Sequence, residues 1–234
     1  MRKALSSTFI LLAAHALAQA PAFEAAAIKP SKDSSRGISW DSEPGRINLS
    51  ATLKGLITIA YRVKDFQVTG GPKWVDGDRF EINAKAEGPA KDPELLEMLR
   101  TLLADRFQLA IHHEQKMAPA YALVVAKSGL KIKAVEGAEG SSSKGGRGVM
   151  TAKGVTMAKL ADNLSRNLGA PVADLTETPG AFDFKLEWSV EGDANDAQSA
   201  LFAALQSQLG LKLESRKLPI DVIVVDKAVK PSDN

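Results

Sequence analysis

Beyond residue 18 the chain carries two histidines, the adjacent His112 and His113 of Ile111-His-His-Glu-Gln115. On a strand they point to opposite faces, so one element cannot present both to a single metal ion. His112 shares its face with Glu114, and a carboxylate beside an imidazole can orient it for general-base work. The plainer reading of that pair is an exposed strand face with a modest charge partner. His113 falls in the buried phase and is expected as a hydrogen-bonded core histidine. The HExxH pattern of zinc peptidases is absent.

Serine chemistry has weaker support. There is no GxSxG elbow. Ser128 to Lys131 and Ser141 to Lys144 both spell SxxK, but that mechanism needs the serine at a helix start with the lysine one turn on. Ser128 follows a strand pattern, and Ser141 sits in a Gly/Ser stretch. No phosphate-binding glycine loop is present, and Asp193-Ala-Asn-Asp196 lacks the glycine and distal glutamate of a calcium loop. No catalytic set, cofactor or metal site is expected. The best surface candidate is Trp74-Val-Asp76-Gly-Asp78-Arg79, where Trp74 could anchor a partner or ligand with Asp76 and Arg79 as charged neighbours. A tryptophan folded back over its own sheet is the competing reading.

The elements that must position these residues follow from pattern and composition. The 234 residues are 44% hydrophobic and 25% charged, enough for one large core or two modest ones. Arg2 and Lys3, Phe9–Ala14 and Ala16-Leu17-Ala18 read as the three regions of a secretory signal peptide over residues 1–18. Without Arg2 and Lys3 the 30 basic residues become 28, against 28 acidic ones. That balance lacks the electrostatic footprint of a nucleic-acid binder. With no cysteine, disulfides and thiolate sites are excluded. The mature chain is expected outside the cytoplasm, secreted or periplasmic, with no stable membrane insertion once the signal is removed.

Residues 19–45 read as an irregular lead-in. The rest reads as α+β, two repeated β-α-β-β-α-β-β units at 46–135 and 149–234, each a small mixed sheet carrying two helices. Between them lies a Gly/Ser linker, 136–148. In the first unit Thr52 is an N-cap, Phe80, Ile82, Ala84 and Ala86 alternate inward, and strands are expected at Gln108–Gln115 and Ala120–Ala126. In the second, Thr156 caps, Phe182, Phe184, Leu186 and Trp188 alternate, Gly210 stops the last helix, and two strands close. The spacing of matched positions is 104 residues at Thr52 and Thr156 and 100 at Pro119 and Pro219.

With Gly70-Gly71-Pro72-x-Trp74, Ala104-Asp105-Arg106-Phe107, Asp183-Phe184-x-Leu186-x-Trp188, Leu209–Ser215 and Lys230-Pro231-Ser232 in view, the chain resembles the soil-associated protein family of Acidobacteria, a domain of unknown function. The resemblance covers nearly the whole mature chain and implies no activity. The second unit is similar, more loosely, to the small β-α-β modules at the N-termini of secretins and TonB-dependent receptors, which bind other envelope proteins. Three functional readings stand on this. The first is an exported non-catalytic module that binds another envelope protein or a polymer, by strand addition among other modes. The others are a small-ligand sensor or carrier using a cleft between the repeats, and a hydrolase with an unrecognised site.

Overall fold

The computed structural model describes residues 20–32, 37–135 and 141–232. The expected signal peptide lies outside the described residues. In chain order the first half contains β1 (Ala25–Pro30), β2 (Ser39–Glu43), β3 (Arg46–Thr52), α1 (Leu53–Tyr61), β4 (Val68–Gly70), α2 (Trp74–Gly77), β5 (Arg79–Lys85), α3 (Asp92–Phe107) and β6 (Ala110–Val125). The second contains β7 (Ala134–Val135), β8 (Ser142–Gly146), β9 (Val149–Val155), α4 (Met157–Leu168), β10 (Val172–Asp174), β11 (Ala181–Glu187), α5 (Ala194–Ala204) and β12 (Leu211–Lys227). The fold is mixed α+β, as read from the sequence.

Local rules account for the helices and the outer sheets. The Thr52 and Thr156 hydroxyls accept from the Gly55 and Lys159 amides at 3.1 and 3.2 Å, each satisfying an orphan donor at the start of its helix. Phe80, Ile82 and Ala84 on β5, and Phe182, Phe184 and Leu186 on β11, are buried in alternation with exposed neighbours. Around these form two four-stranded sheets, ordered β1-β5-β3-β2 and β7-β11-β9-β8.

Within the lead-in expected at 19–45, the described residues are less irregular than their composition suggests. β1 pairs antiparallel with β5, burying Ile28, and β2 pairs with β3. Likewise Ser142–Gly146, within the expected linker, is strand β8 on the open edge of β9. Its five exposed Ser, Lys and Gly residues contribute backbone hydrogen bonds and no buried side chain, so no hydrophobic pattern marks it.

The third sheet, β10-β6-β12-β4, takes strands from both halves. The strands expected at Gln108–Gln115 and Ala120–Ala126 are one continuous strand, β6, and the two closing strands are likewise one, β12. They pair antiparallel from Leu211 opposite Val125 to Val225 opposite Ile111. Pro119 and Pro219 do not interrupt them. Proline has no N–H to give the ladder, so it is tolerated in a strand where its nitrogen faces an open edge, and there it also blunts that edge against a foreign strand.

The consequence is an exchange. β4 lies parallel to the far end of β12 (Val68 opposite Ile223), and β10 parallel to the far end of β6 (Val172 opposite Tyr121). Ile223 and Val225 of β12 complete the first core around Leu56, Leu99 and Phe107, while Leu123 of β6 enters the second core around Leu160, Leu164 and Leu205. Among the described residues no helix is long and apolar enough to cross a membrane.

A charge cluster also joins the halves. The Asp162 carboxylate on α4 meets Lys64 at 2.7 Å, Arg166 at 2.9 Å and Lys159 at 3.6 Å. Partial burial raises its pKa, but the three cations outweigh that and hold the group below its ordinary value. A carboxylate depressed on folding contributes stability above its unfolded pKa and loses it as pH falls through the folded one. Asp162→Asn is therefore expected to lower stability at neutral pH by up to about 1 kcal/mol, the scale of a half-exposed network. Denaturant midpoints of the two proteins should converge as pH drops below about 4. A difference that persisted undiminished in acid would mean the cluster is not the cause.

Candidate functional site

The aromatic-charged cluster of the first half does not converge on one point. Trp74 opens the short helix α2 with its ring half-buried, edge-on to Phe80 with centroids 6.0 Å apart and stacked on Phe107 at 6.5 Å. Lys230 covers the outer side, its ammonium 5.9 Å from the ring centre. Asp76 points to solvent and pairs with Lys54 at 3.4 Å. Arg79 runs along β3, donating to the Ser50 carbonyl at 3.0 Å and hydroxyl at 3.2 Å. Trp74 thus closes the first core, and Arg79 ties β5 to β3.

His112 finds a carboxylate, but a different one. Its Nδ1 lies 2.9 Å from both Asp226 oxygens, whereas its Nε2 is 3.8 Å from Glu114, beyond hydrogen-bonding range. Glu114 turns instead to Lys116 at 3.3 Å. Sequence reasoning missed Asp226 because the contact spans 114 residues and needs the β6–β12 register. Aspartate on Nδ1 with Nε2 free is a base-like arrangement, but it sits on a half-exposed strand face. His113 is not the core histidine expected; it is exposed. At that end of the central sheet β10 has not yet begun, so β6 is the rim strand, and the core covers Ile223 opposite rather than His113. Among the described residues no group of three or more His, Asp or Glu could hold a metal ion.

The arrangement best suited to holding a molecule lies in the second half and was not singled out by sequence. A cleft of about 440 Å³ opens between the β8–β9 turn, the end of α4 and the start of α5, lined by Arg147, Asn167, Leu168, Trp188, Gln198 and Leu201 among others. Such a volume is typical of small-molecule sites. Each wall has a local cause. The Trp188 amide donates to the Gly148 carbonyl at 2.9 Å, tying the residue after β11 to the hairpin turn. Gly148 has φ +76°, and a Cβ there would lie 2.5 Å from the Trp188 carbonyl oxygen, so only glycine fits. Asp193 accepts from the Asn195 and Asp196 amides at 2.7 and 3.0 Å and starts α5. That helix carries Gln198, whose amide donates to the Tyr121 hydroxyl at 2.9 Å.

A second cleft of about 340 Å³ adjoins it, lined by Lys144, Gly145, Asn163, Arg166 and Asn167. Asn167 lines both. Asn163, 8% exposed, donates to the Ser143 hydroxyl at 3.1 Å and accepts from Arg166, which fastens β8 to α4. Arg166 is further held by Asp162. For Lys144 and Arg147 the described residues supply no hydrogen bond or ion pair.

The first half also has a cleft, with different chemistry. About 740 Å³ opens between the β2–β3 turn and the start of α3, lined by Glu43, Pro44, Pro89, Asp92, Pro93 and Glu94 among others. Its turn glycine, Gly45, has φ +78°, and a Cβ there would meet the Gly88 carbonyl oxygen at 2.4 Å. Ser42 donates to Asp92 at 3.2 Å, and Glu94 accepts from the Lys91 amide at 2.9 Å, so its polar groups are largely engaged with one another.

No curated protein and no solved structure matches the chain. One family does, over residues 54–228, a span that runs from α1 to the end of β12 and takes in the exchanged strands, His112 with Asp226, and both clefts of the second half. By that match the chain belongs to the family described as Protein of unknown function (DUF3738).

Proposed function

We propose that the protein is a non-catalytic binding module exported from the cytoplasm, to the periplasm or beyond, and that its ligand seat is the Trp188 cleft. The observation that carries this reading is the set of residues lining that cleft of about 440 Å³: Trp188, Asn167, Gln198 and Arg147, the last with no hydrogen bond or ion pair among the described residues. Export rests on the signal-peptide pattern of residues 1–18, and the resemblance to the soil-associated protein family on the motifs quoted above. The ligand is then a component of the cell envelope or its surroundings, polymer or fragment. The seat lies inside one half rather than between the two. Strand addition at the centre of the β6–β12 ribbon is disfavoured by Pro119 and Pro219.

The duplicated plan belongs to the same reading. Thr52 and Thr156 cap corresponding helices, and Gly45 and Gly148 make corresponding turns. The β6–β12 register sets Ala118 opposite Leu218, its own counterpart at the 100-residue spacing of Pro119 and Pro219. The Trp188 cleft is then the binding version of a feature present in both copies.

Three tryptophans give three indole N–H signals, from Trp40, Trp74 and Trp188. Titrating ¹⁵N-labelled mature protein with peptidoglycan fragments, neutral and acidic oligosaccharides and envelope lipids should move the Trp188 signal saturably and leave Trp74 in place. A Trp188 signal unmoved by every member, or all three signals drifting together, would overturn the reading.

A further inference from the structure

Resting on that cleft as the ligand seat, we propose that the ligand is an acidic oligosaccharide, a chain of sugar rings bearing carboxylates. Four features converge on this chemistry. The two clefts of the second half share Asn167 and are lined by Gly146 and Gly145 of β8, so they lie side by side at a spacing that a chain of rings could span. Glycine in that strand removes the side chains that would keep a ligand off the backbone; neither position has a heavy atom closer than 3.8 Å to a would-be Cβ. The Trp188 indole offers a flat apolar face, while Asn167 and Gln198 each offer donors and an acceptor, the complement of ring hydroxyls, which also do both. A wholly apolar ligand would leave the Asn167 amide and the Gln198 carbonyl oxygen without partners at a cost; the Gln198 amide already donates to Tyr121.

Charge supplies the acid. Among the described residues the cations lining the two clefts are Lys144, Arg147 and Arg166, and no carboxylate lines them. Arg166 is neutralised by Asp162, which leaves Lys144 and Arg147 to meet an anion, with the guanidinium suited to a carboxylate in two-point contact. Asp193 and Asp196, next in sequence to the lining residues Ala194 and Ala197, are committed to the start of α5: Asp193 accepts from two amides there, and Asp196 accepts from the Asp193 amide at 3.2 Å. The cleft of the first half carries Glu43, Asp92 and Glu94 against Lys91, a net negative lining that would disfavour the same ligand.

The test uses the mature chain and two probes of equal length, trigalacturonate and the uncharged galactotriose, with the Trp188 indole signal and calorimetry as readouts. Trigalacturonate should bind about tenfold or more tightly than galactotriose, a difference of about 1.4 kcal/mol, and weaken as salt is raised. Lys144→Ala with Arg147→Ala should abolish the preference. Both side chains are exposed, and unchanged Trp40 and Trp74 signals will certify the fold. Equal affinity for the two trimers, or a preference untouched by the double substitution, would overturn the acidic assignment and leave the seat standing. If trigalacturonate leaves Trp188 unmoved while a peptide or lipid fragment moves it, the sugar is wrong and the seat is right. If nothing moves it, both fall.

Discussion

Residues 20–135 and residues 141–232, produced as separate chains, should each fail to fold alone and should reconstitute the native structure when mixed. The reason is the exchange of strands. Cut from its partner, the first half loses Ile223 and Val225 from its core, together with the strand that joins β6 to β4. The second half loses Leu123 and the strand between β12 and β10. Truncating one buried aliphatic side chain costs about 2–5 kcal/mol, and here whole strands go, with a paired backbone from Ala110 to Val125 left open. Against a total domain stability of about 5–15 kcal/mol, neither fragment retains a margin. Far-ultraviolet dichroism and amide spectra of each fragment and of the equimolar mixture make the check. A fragment that is monomeric, gives dispersed amide signals and melts cooperatively would show that each half owns a complete core.

The elements governed by short-range rules were legible in the sequence. Thr52 and Thr156 announce their helices because a cap bonds an amide three residues on. Phe80-x-Ile82-x-Ala84 and Phe182-x-Phe184-x-Leu186 announce their strands because side chains alternate every second residue. Gly210 marks a helix end because its φ of +70° suits glycine, and a Cβ would meet the Gly129 carbonyl oxygen at 2.0 Å. Long-range pairing was not legible. Pro119 and Pro219 look like breaks until the open edge beside each is known. Asp226 becomes the partner of His112 only through the β6–β12 register, and the same register leaves His113 at the rim. β8 is written in Ser, Lys and Gly, which composition assigns to a linker, so the cleft it walls could not be assembled from pattern. Alternation makes Trp188 one more inward residue of β11, yet it stands just past the strand, where the Gly148 turn holds it half-exposed.

Phe107→Ala is the single substitution expected to cost most, and its cost should be felt in both halves. Phe107 ends α3 fully buried, edge-on to Phe80 with centroids 5.0 Å apart and stacked on Trp74. Its carbonyl accepts from the Val229 amide at 2.7 Å, just beyond β12. Removing a buried phenyl ring costs about 3–5 kcal/mol, and loss of two aromatic contacts adds roughly 0.5–1.5 kcal/mol each. For a chain of this size that lowers the melting temperature by about 10 °C or more, while Phe107→Leu, which refills most of the volume, should lower it much less. The informative reading comes from the far half. With Trp40 and Trp74 replaced by phenylalanine in both proteins, Trp188 alone reports on unfolding. Because β12 runs from the second core into the first, the Trp188 transition in Phe107→Ala should fall by the same amount as the dichroism of the whole chain. If the Trp188 signal instead held its original midpoint while the first half melted early, the exchanged strands would not couple the two cores. The Trp188 cleft would then sit on an autonomous half, insensitive to the state of the other.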